Sequence, residues 1–212
     1  MNIKTFIVGS FGENTYVIFD KNDKSNDSAI IIDPGDENGH VIDFLKSNNL
    51  NPIKILLTHS HIDHIIGIQF LYRYYQPEIY LHEDDHWIYK RANEQASFFG
   101  LSDVESVDVT NLFKEEIVIP FSTSQFEVIH TPGHTPGSVC YYSRQDKIIF
   151  TGDTLFKRSI GRTDLLGGNS SSIIDSIRNK LFVLDDNVII YPGHMDKSSI
   201  GEEKLMNPFA GL

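Results

Sequence analysis

The sequence predicts a layered α/β fold in which helices cover β-sheets, on three observations. Short apolar runs of strand length recur along the whole chain; helical periodicity interrupts them at intervals without alternating strictly; and strand-like runs outnumber helical ones. With 212 residues, 40% hydrophobic and 22% charged, the chain suits one domain with a sizeable core, and residues 1–212 are read as that domain.

In the first half, strands are expected at residues 3–8, 14–19 and 29–32, the last closed by the turn signal Asp33-Pro34-Gly35. The polar stretch 20–27 reads as a solvated hairpin connection. Val41, Ile42, Phe44 and Leu45 stand at helical spacing and predict a helix over 37–48. The continuous apolar run 53–57 predicts a central strand. A helix over 63–75, a strand at 78–81 and a helix over 82–92 follow, and residues 93–116, without periodicity, read as a partly helical excursion. Strands at 126–131, 138–142 and 147–151, a helix over 171–182 and a buried strand at 188–191 complete the pattern.

Composition narrows the function classes. The net charge of −11 repels phosphate backbones, and no basic run offsets it, so nucleic acid is not expected as a partner and a small-molecule substrate is. No run of about 18 apolar residues predicts a membrane span, and the N-terminus does not read as a secretion signal. One cysteine, Cys140, fits a reducing, cytoplasmic compartment and reads as a buried small hydrophobe in Val139-Cys140-Tyr141. The sequence sets no oligomeric state.

The chemistry concentrates in Thr58-His59-Ser60-His61-Ile62-Asp63-His64. His59 and His61 share a side in extended backbone, and Asp63 and His64 open a helix, where His61 and His64, three apart, share a face. Four ligand-competent groups thus meet at the end of an apolar strand, where unpaired polar groups are costly to bury. Three more candidates each close a predicted strand beside a glycine: His134 after Gly133, Asp153 after Gly152, and His194 after Gly193. Seven His and Asp ligands exceed the needs of one tetrahedral ion and suit two ions sharing a carboxylate. The other histidines, His40, His82, His86 and His130, follow no strand-end turn and are not counted as ligands.

The spacing from His59 to His64 resembles the signature of the metallo-β-lactamase superfamily, and the resemblance extends from Asn14-Thr15-Tyr16 to Gly193-His194. It implies an αββα four-layer sandwich forming a single hydrolase domain, with a dinuclear site at one edge of the two sheets. It further implies that His59, His61 and His134 hold one divalent ion, that Asp63, His64 and His194 hold the other, and that Asp153 bridges them. The ions implied are zinc, with iron or manganese as alternatives. Asp33 is similar to an acid that the family places beside the ligands.

Within the superfamily, Gly152-Asp153-Thr154-Leu155-Phe156 followed by Gly161-Arg162-Thr163-Asp164 resembles the glyoxalase II, or hydroxyacylglutathione hydrolase, group, and the tail from Ile200 to Phe209 is similar to its short bacterial members. That resemblance implies hydrolysis of S-acyl thiols such as S-lactoylglutathione by a hydroxide shared between the ions. Asp63 and Asp153 would be the catalytic carboxylates, with Arg162 binding substrate and Lys157 and Arg158 adding positive potential. Longer members of the group add a glutathione-binding helical domain, absent from these 212 residues, so recognition is expected to concentrate on the acyl end. An iron-dependent persulfide dioxygenase, using His59, His134 and Asp153 on one iron, or a lactonase on the same fold, is the alternative.

Overall fold

The computed structural model describes residues 1–20, 27–36 and 39–211, which divide into two compact units, Met1–Phe113 and Lys114–Leu212. Most of the expected hairpin connection at 20–27 lies outside the described residues, as do the first two positions of the helix expected over 37–48.

The first unit holds a six-stranded mixed sheet in sequential order: β1 (Asn2–Val8), β2 (Glu13–Phe19), β3 (Ser28–Ile32), β4 (Asn51–Leu56), β5 (Glu78–His82) and β6 (Asn111–Phe113). The first three pair antiparallel, and β3 through β6 run parallel. Parallel neighbours need crossover connections, and these carry the helices. Helix α1 (Gly39–Ser47) buries Val41 and Leu45, and α3 (Ile68–Tyr75) buries Ile68 and Leu71, all in one core with Val17, Ile31, Ile55 and Ile79. The strand β4 is central, as its unbroken apolar run requires.

Three elements of this unit depart from the sequence reading. The helix expected over 63–75 is two helices, α2 (Ile62–Ile65) and α3, divided where the Gly67 N–H donates to the Pro34 carbonyl at 3.0 Å. The helix expected over 82–92 begins later: His82 completes β5, a single 3₁₀ turn Glu83–Asp85 follows, and α4 (His86–Tyr89) is one turn long. The excursion at 93–116 contains α5 (Ala92–Phe98) and β6, whose three residues are a strand because they pair with Tyr80, Leu81 and His82.

The second unit holds another six-stranded sheet, ordered β14-β13-β10-β9-β8-β7. Its strands are β7 (Val118–Phe121), β8 (Ser124–His130), β9 (Val139–Ser143), β10 (Ile148–Gly152), β13 (Ile189–Pro192) and β14 (Ser198–Ser199). The pair β10–β13 is parallel and the rest are antiparallel. A two-stranded hairpin, β11 (Leu155–Phe156) and β12 (Ser159–Ile160), and helices α6 (Ser170–Ser176) and α7 (Ile200–Met206) complete the unit. The helix expected over 171–182 changes to wider π turns at Ile177–Leu181. Its core gathers Cys140, Ile149, Ile173, Ile177, Val188 and Ile200. Burial pushes the Cys140 thiol up to about 12, which makes it a packing residue, as expected.

Ile55→Ala is expected to cost about 2–5 kcal/mol in urea unfolding, because Ile55 is fully buried on the central strand. Ile7→Ala, at a side chain 77% exposed, is expected to stay within about 0.5 kcal/mol.

Candidate metal centre

In the first unit the donors sit on the segment that leaves β4. His59 and His64 are completely buried, and His61 and Asp63 are half-buried. The His59 ring lies between its neighbours, 4.9 Å from the His61 ring edge-on and 4.1 Å from the His64 ring, centroid to centroid. His59 is thus the centre of the cluster, with His61 and His64 each against its ring. Asp33, His59 and His64 each offer a ligand atom within 4.8 Å of the others.

The tautomers follow from proton counting. The Asp33 carboxylate accepts the Thr58 N–H at 2.7 Å on Oδ1 and the Thr58 hydroxyl at 2.5 Å on Oδ2. With its one proton committed, Thr58 Oγ1 can only accept from His59 Nδ1–H, 3.0 Å away. Asp33 Oδ2 likewise accepts from His64 Nδ1–H at 3.1 Å. Both rings therefore turn a lone pair outward on Nε2, the state a metal ligand requires. Asp33 thus takes the place beside the ligands that the resemblance implied.

Side chains from other elements, Asp85 buried and Gln95 half-buried, clamp this segment. Asp85 accepts the Ser60 N–H at 2.9 Å, while Gln95 accepts from the Ile62 N–H at 3.1 Å and donates to the Ser60 carbonyl at 3.1 Å. Gly35 is required by closeness: a Cβ there would lie 2.6 Å from the Asp63 carbonyl and 2.4 Å from Glu13 Oε2. Glu13 is itself buried, with Oε1 3.8 Å from His64 Nδ1. Burial pushes its carboxyl well above the usual range; His64 opposes this, and the charges of Asp33 and Asp63 add to it. Thr15 Oγ1 lies 2.8 Å from both Glu13 Oε2 and the Asp33 carbonyl oxygen, and its hydroxyl donates to these two acceptors. Sequence reasoning missed Glu13, Asp85 and Gln95. Asp85 stands in an acidic run that reads as solvated surface, and no local pattern marks the other two.

In the second unit the three expected residues stand at strand ends. His134 lies in the turn between β8 and β9, Asp153 follows β10 at a register shift, and His194 follows β13. The Gly193 N–H donates to the Gly152 carbonyl at 2.8 Å, which ties the ends of β10 and β13 together. Asp153 Oδ2 then lies 3.6 Å from His134 Nε2 and 3.6 Å from His194 Nε2. These separations exceed a hydrogen bond, yet two donors about 2.1 Å from one tetrahedral ion stand roughly 3.4 Å apart. The pair His64 Nε2 and Asp63 Oδ2, at 3.7 Å, has the same spacing. The donor set of each unit therefore fits a metal, with one oxygen of Asp153 placed to serve both of its histidines.

Arg162 enters this geometry through its backbone. Its carbonyl accepts from His134 Nδ1–H at 2.7 Å, which leaves His134 Nε2 as the unprotonated ring nitrogen. Its guanidinium is exposed and forms a bidentate pair with Asp164, both bonds 2.7 Å, which holds the Asp164 carboxyl down to about 2. Of the two cations expected to add positive potential, Arg158 is bound by Glu202 and Glu203, and Lys157 lies 3.8 Å from Asp196. His40 is exposed, His82 is buried and accepts the Asp84 N–H at 3.3 Å, and His130 donates its Nε2–H to the Pro136 carbonyl at 2.8 Å.

Thr58→Val is expected to weaken metal binding about 10- to 100-fold in chelator competition, because it removes the hydroxyl that fixes the His59 tautomer.

Residues 8–194 match the model of the metallo-beta-lactamase superfamily. The chain is 38% identical to the hydroxyacylglutathione hydrolase GloC of Haemophilus influenzae over 99% of its own length and 98% of the relative's, and 33% identical to a probable metallo-hydrolase, YqgX, of Bacillus subtilis over 95% and 94%. Among solved structures it is similar to BLEG-1, a B3 metallo-beta-lactamase, with a TM-score of 0.90 at 36% identity over 99% of both chains. It is also similar to a protein solved in a di-iron-bound form, with a TM-score of 0.86 at 32% identity over 97% and 99%. The match to the family model and the full-length relatives agree with the two mixed sheets and the ligand segments: the chain belongs to the metallo-β-lactamase superfamily and has its fold.

Proposed function

We propose that this metal-dependent hydrolase is a thioesterase of the glyoxalase II type, acting on S-acyl thiols such as S-lactoylglutathione as a single catalytic domain. His59, His61 and His134 would hold one divalent ion, Asp63, His64 and His194 the other, and Asp153 both. Zinc suits this all-His and Asp donor set, and the di-iron relative makes iron the first alternative. The observation that carries the reading is the Asp153 carboxylate oxygen standing 3.6 Å from each of two imidazole nitrogens whose spacing fits shared ligation. The full-length similarity to GloC supports the thioester substrate.

Bound there, two divalent ions would supply Lewis acidity and a water of lowered pKa. The chain's own part is to keep that chemistry in register. Asp33, Thr58 and the Arg162 carbonyl each take an Nδ1–H, so His59, His64 and His134 present Nε2 and no proton. Asp63, half-buried beside His64 Nε2, would accept a proton from an attacking water. No side-chain nucleophile is needed, and the buried, protonated Cys140 supplies none.

Natively purified protein is expected to contain about two divalent ions per chain and to hydrolyse S-lactoylglutathione, with Asp153→Ala abolishing turnover and lowering metal content. The similarity to BLEG-1 favours β-lactam hydrolysis as the second reading, so nitrocefin belongs in the same assay. A kcat/KM for nitrocefin above that for every thioester tested would replace the proposed substrate class. One iron per chain with oxygen uptake on a persulfide would replace the reaction itself.

Arg162 is proposed to meet a substrate carboxylate by exchanging its exposed partner Asp164. Arg162→Ala, which leaves the backbone carbonyl to His134, is expected to raise KM several-fold more than it lowers kcat. Equal loss in kcat and kcat/KM, with KM unchanged, would remove the guanidinium from substrate binding.

A further inference from the structure

The turn that orients His134 is a weak piece of structure on its own. Strands β11 and β12 pair through only two residues each, and a hairpin of that size does not hold itself in water. Its tip, Lys157-Arg158, places Arg158 in left-handed backbone at φ 61°. Two residues past its end, the carbonyl of Arg162 accepts the His134 Nδ1–H at 2.7 Å. Between them, Gly161 touches the ligands directly: a Cβ there would stand 1.8 Å from the Asp153 carbonyl oxygen and 3.2 Å from His134 Cβ. A small displacement of this backbone therefore reaches both ligands.

The C-terminal helix α7 holds the hairpin in place. Glu203 is completely buried and accepts the Arg158 backbone N–H at 2.8 Å on Oε2 and the Arg158 guanidinium at 2.9 Å on Oε1. Ser198 donates its hydroxyl to the same carboxylate. One turn later on the same face, Asn207 donates to the Ser159 carbonyl at 3.0 Å and to Glu203 Oε2 at 3.0 Å. The turn Arg158-Ser159 is thus gripped on its N–H, its carbonyl and its side chain by Glu203 of α7 and by Asn207, the residue that ends that helix. A buried carboxylate needs such partners, and they all lie on the hairpin or beside it.

We propose that Glu203 and Asn207 are positioning residues for the metal ligand His134, acting through the backbone from Arg158 to Arg162. The inference rests on the metal-site reading above and extends it to a helix that carries no ligand. Lys204, on the same helix, is held by Asp186 and the Leu184 carbonyl and reaches none of the hairpin bonds, so it serves as the control.

The test uses the full chain with zinc as the probe, read by chelator competition, together with nitrogen NMR of the imidazole rings in metal-free protein. Glu203→Gln is expected to weaken zinc binding about tenfold and to shift the His134 Nδ1–H signal toward mixed tautomers. Lys204→Met is expected to lower thermal stability without either change. If Glu203→Gln fails to fold, Asn207→Ala, which keeps the ion pair with Arg158, carries the same expectation. An unchanged His134 signal and zinc affinity in the folded variant, or equal shifts in the Lys204 control, overturns the inference. Because the tautomer is read without metal or substrate, absence of thioesterase activity in the unaltered protein would count against the proposed function alone.

Discussion

The buried carboxylate of Asp33 is the constraint on which the ligand segment of the first unit depends. It closes β3 in left-handed backbone at φ 47°, which turns the chain sharply while its N–H still donates to the Leu56 carbonyl of β4. From that position its two oxygens take the Thr58 N–H, the Thr58 hydroxyl and the His64 Nδ1–H. Each of these donors is buried, and each left without an acceptor would cost about 1–3 kcal/mol. One acidic side chain therefore sets the exit of a strand, the tautomers of two histidines and the direction in which their lone pairs point.

The second unit solves the same problem with backbone. His134 gives its Nδ1–H to a carbonyl, and the ends of β10 and β13 are joined by an N–H to carbonyl bond between Gly152 and Gly193. A carbonyl carries no net charge, so this arrangement orients an imidazole without adding another buried acid near Asp153. It also makes the ligand geometry depend on where the 158–162 backbone is held. That hold comes from the ion pair and amide bonds of Glu203 and Asn207, which follow the hairpin in sequence where His134 and Asp153 precede it.

The charge distribution is consistent with such a centre. The chain carries a net charge of −11, and several of its cations near the ligands in sequence are already paired, Arg158 with Glu202 and Glu203 and Arg162 with Asp164. Divalent ions held by this donor set would be the strongest local positive charge, and a substrate carbonyl would be polarised by them more than by any side chain.

The fold class and the donors were legible in the sequence because both are written locally. Apolar runs of strand length mark β2, β4, β9 and β10, and His59 to His64 compress four donors into six positions straight after one of them. Strand-end glycines likewise marked His134, Asp153 and His194. What surrounds those donors was not legible. Asp85 and Gln95 reach the ligand segment from 25 and 35 residues away along the chain, and the partners Arg158 and Glu203 are 45 apart. Short elements such as β6 and β12 have no periodicity of their own and exist only because a neighbour pairs with them. Local pattern therefore marked the candidate donors, and tertiary structure decided which ring nitrogen each histidine presents, because a tautomer is set by the acceptor on the ring's other side and that acceptor comes from elsewhere in the chain.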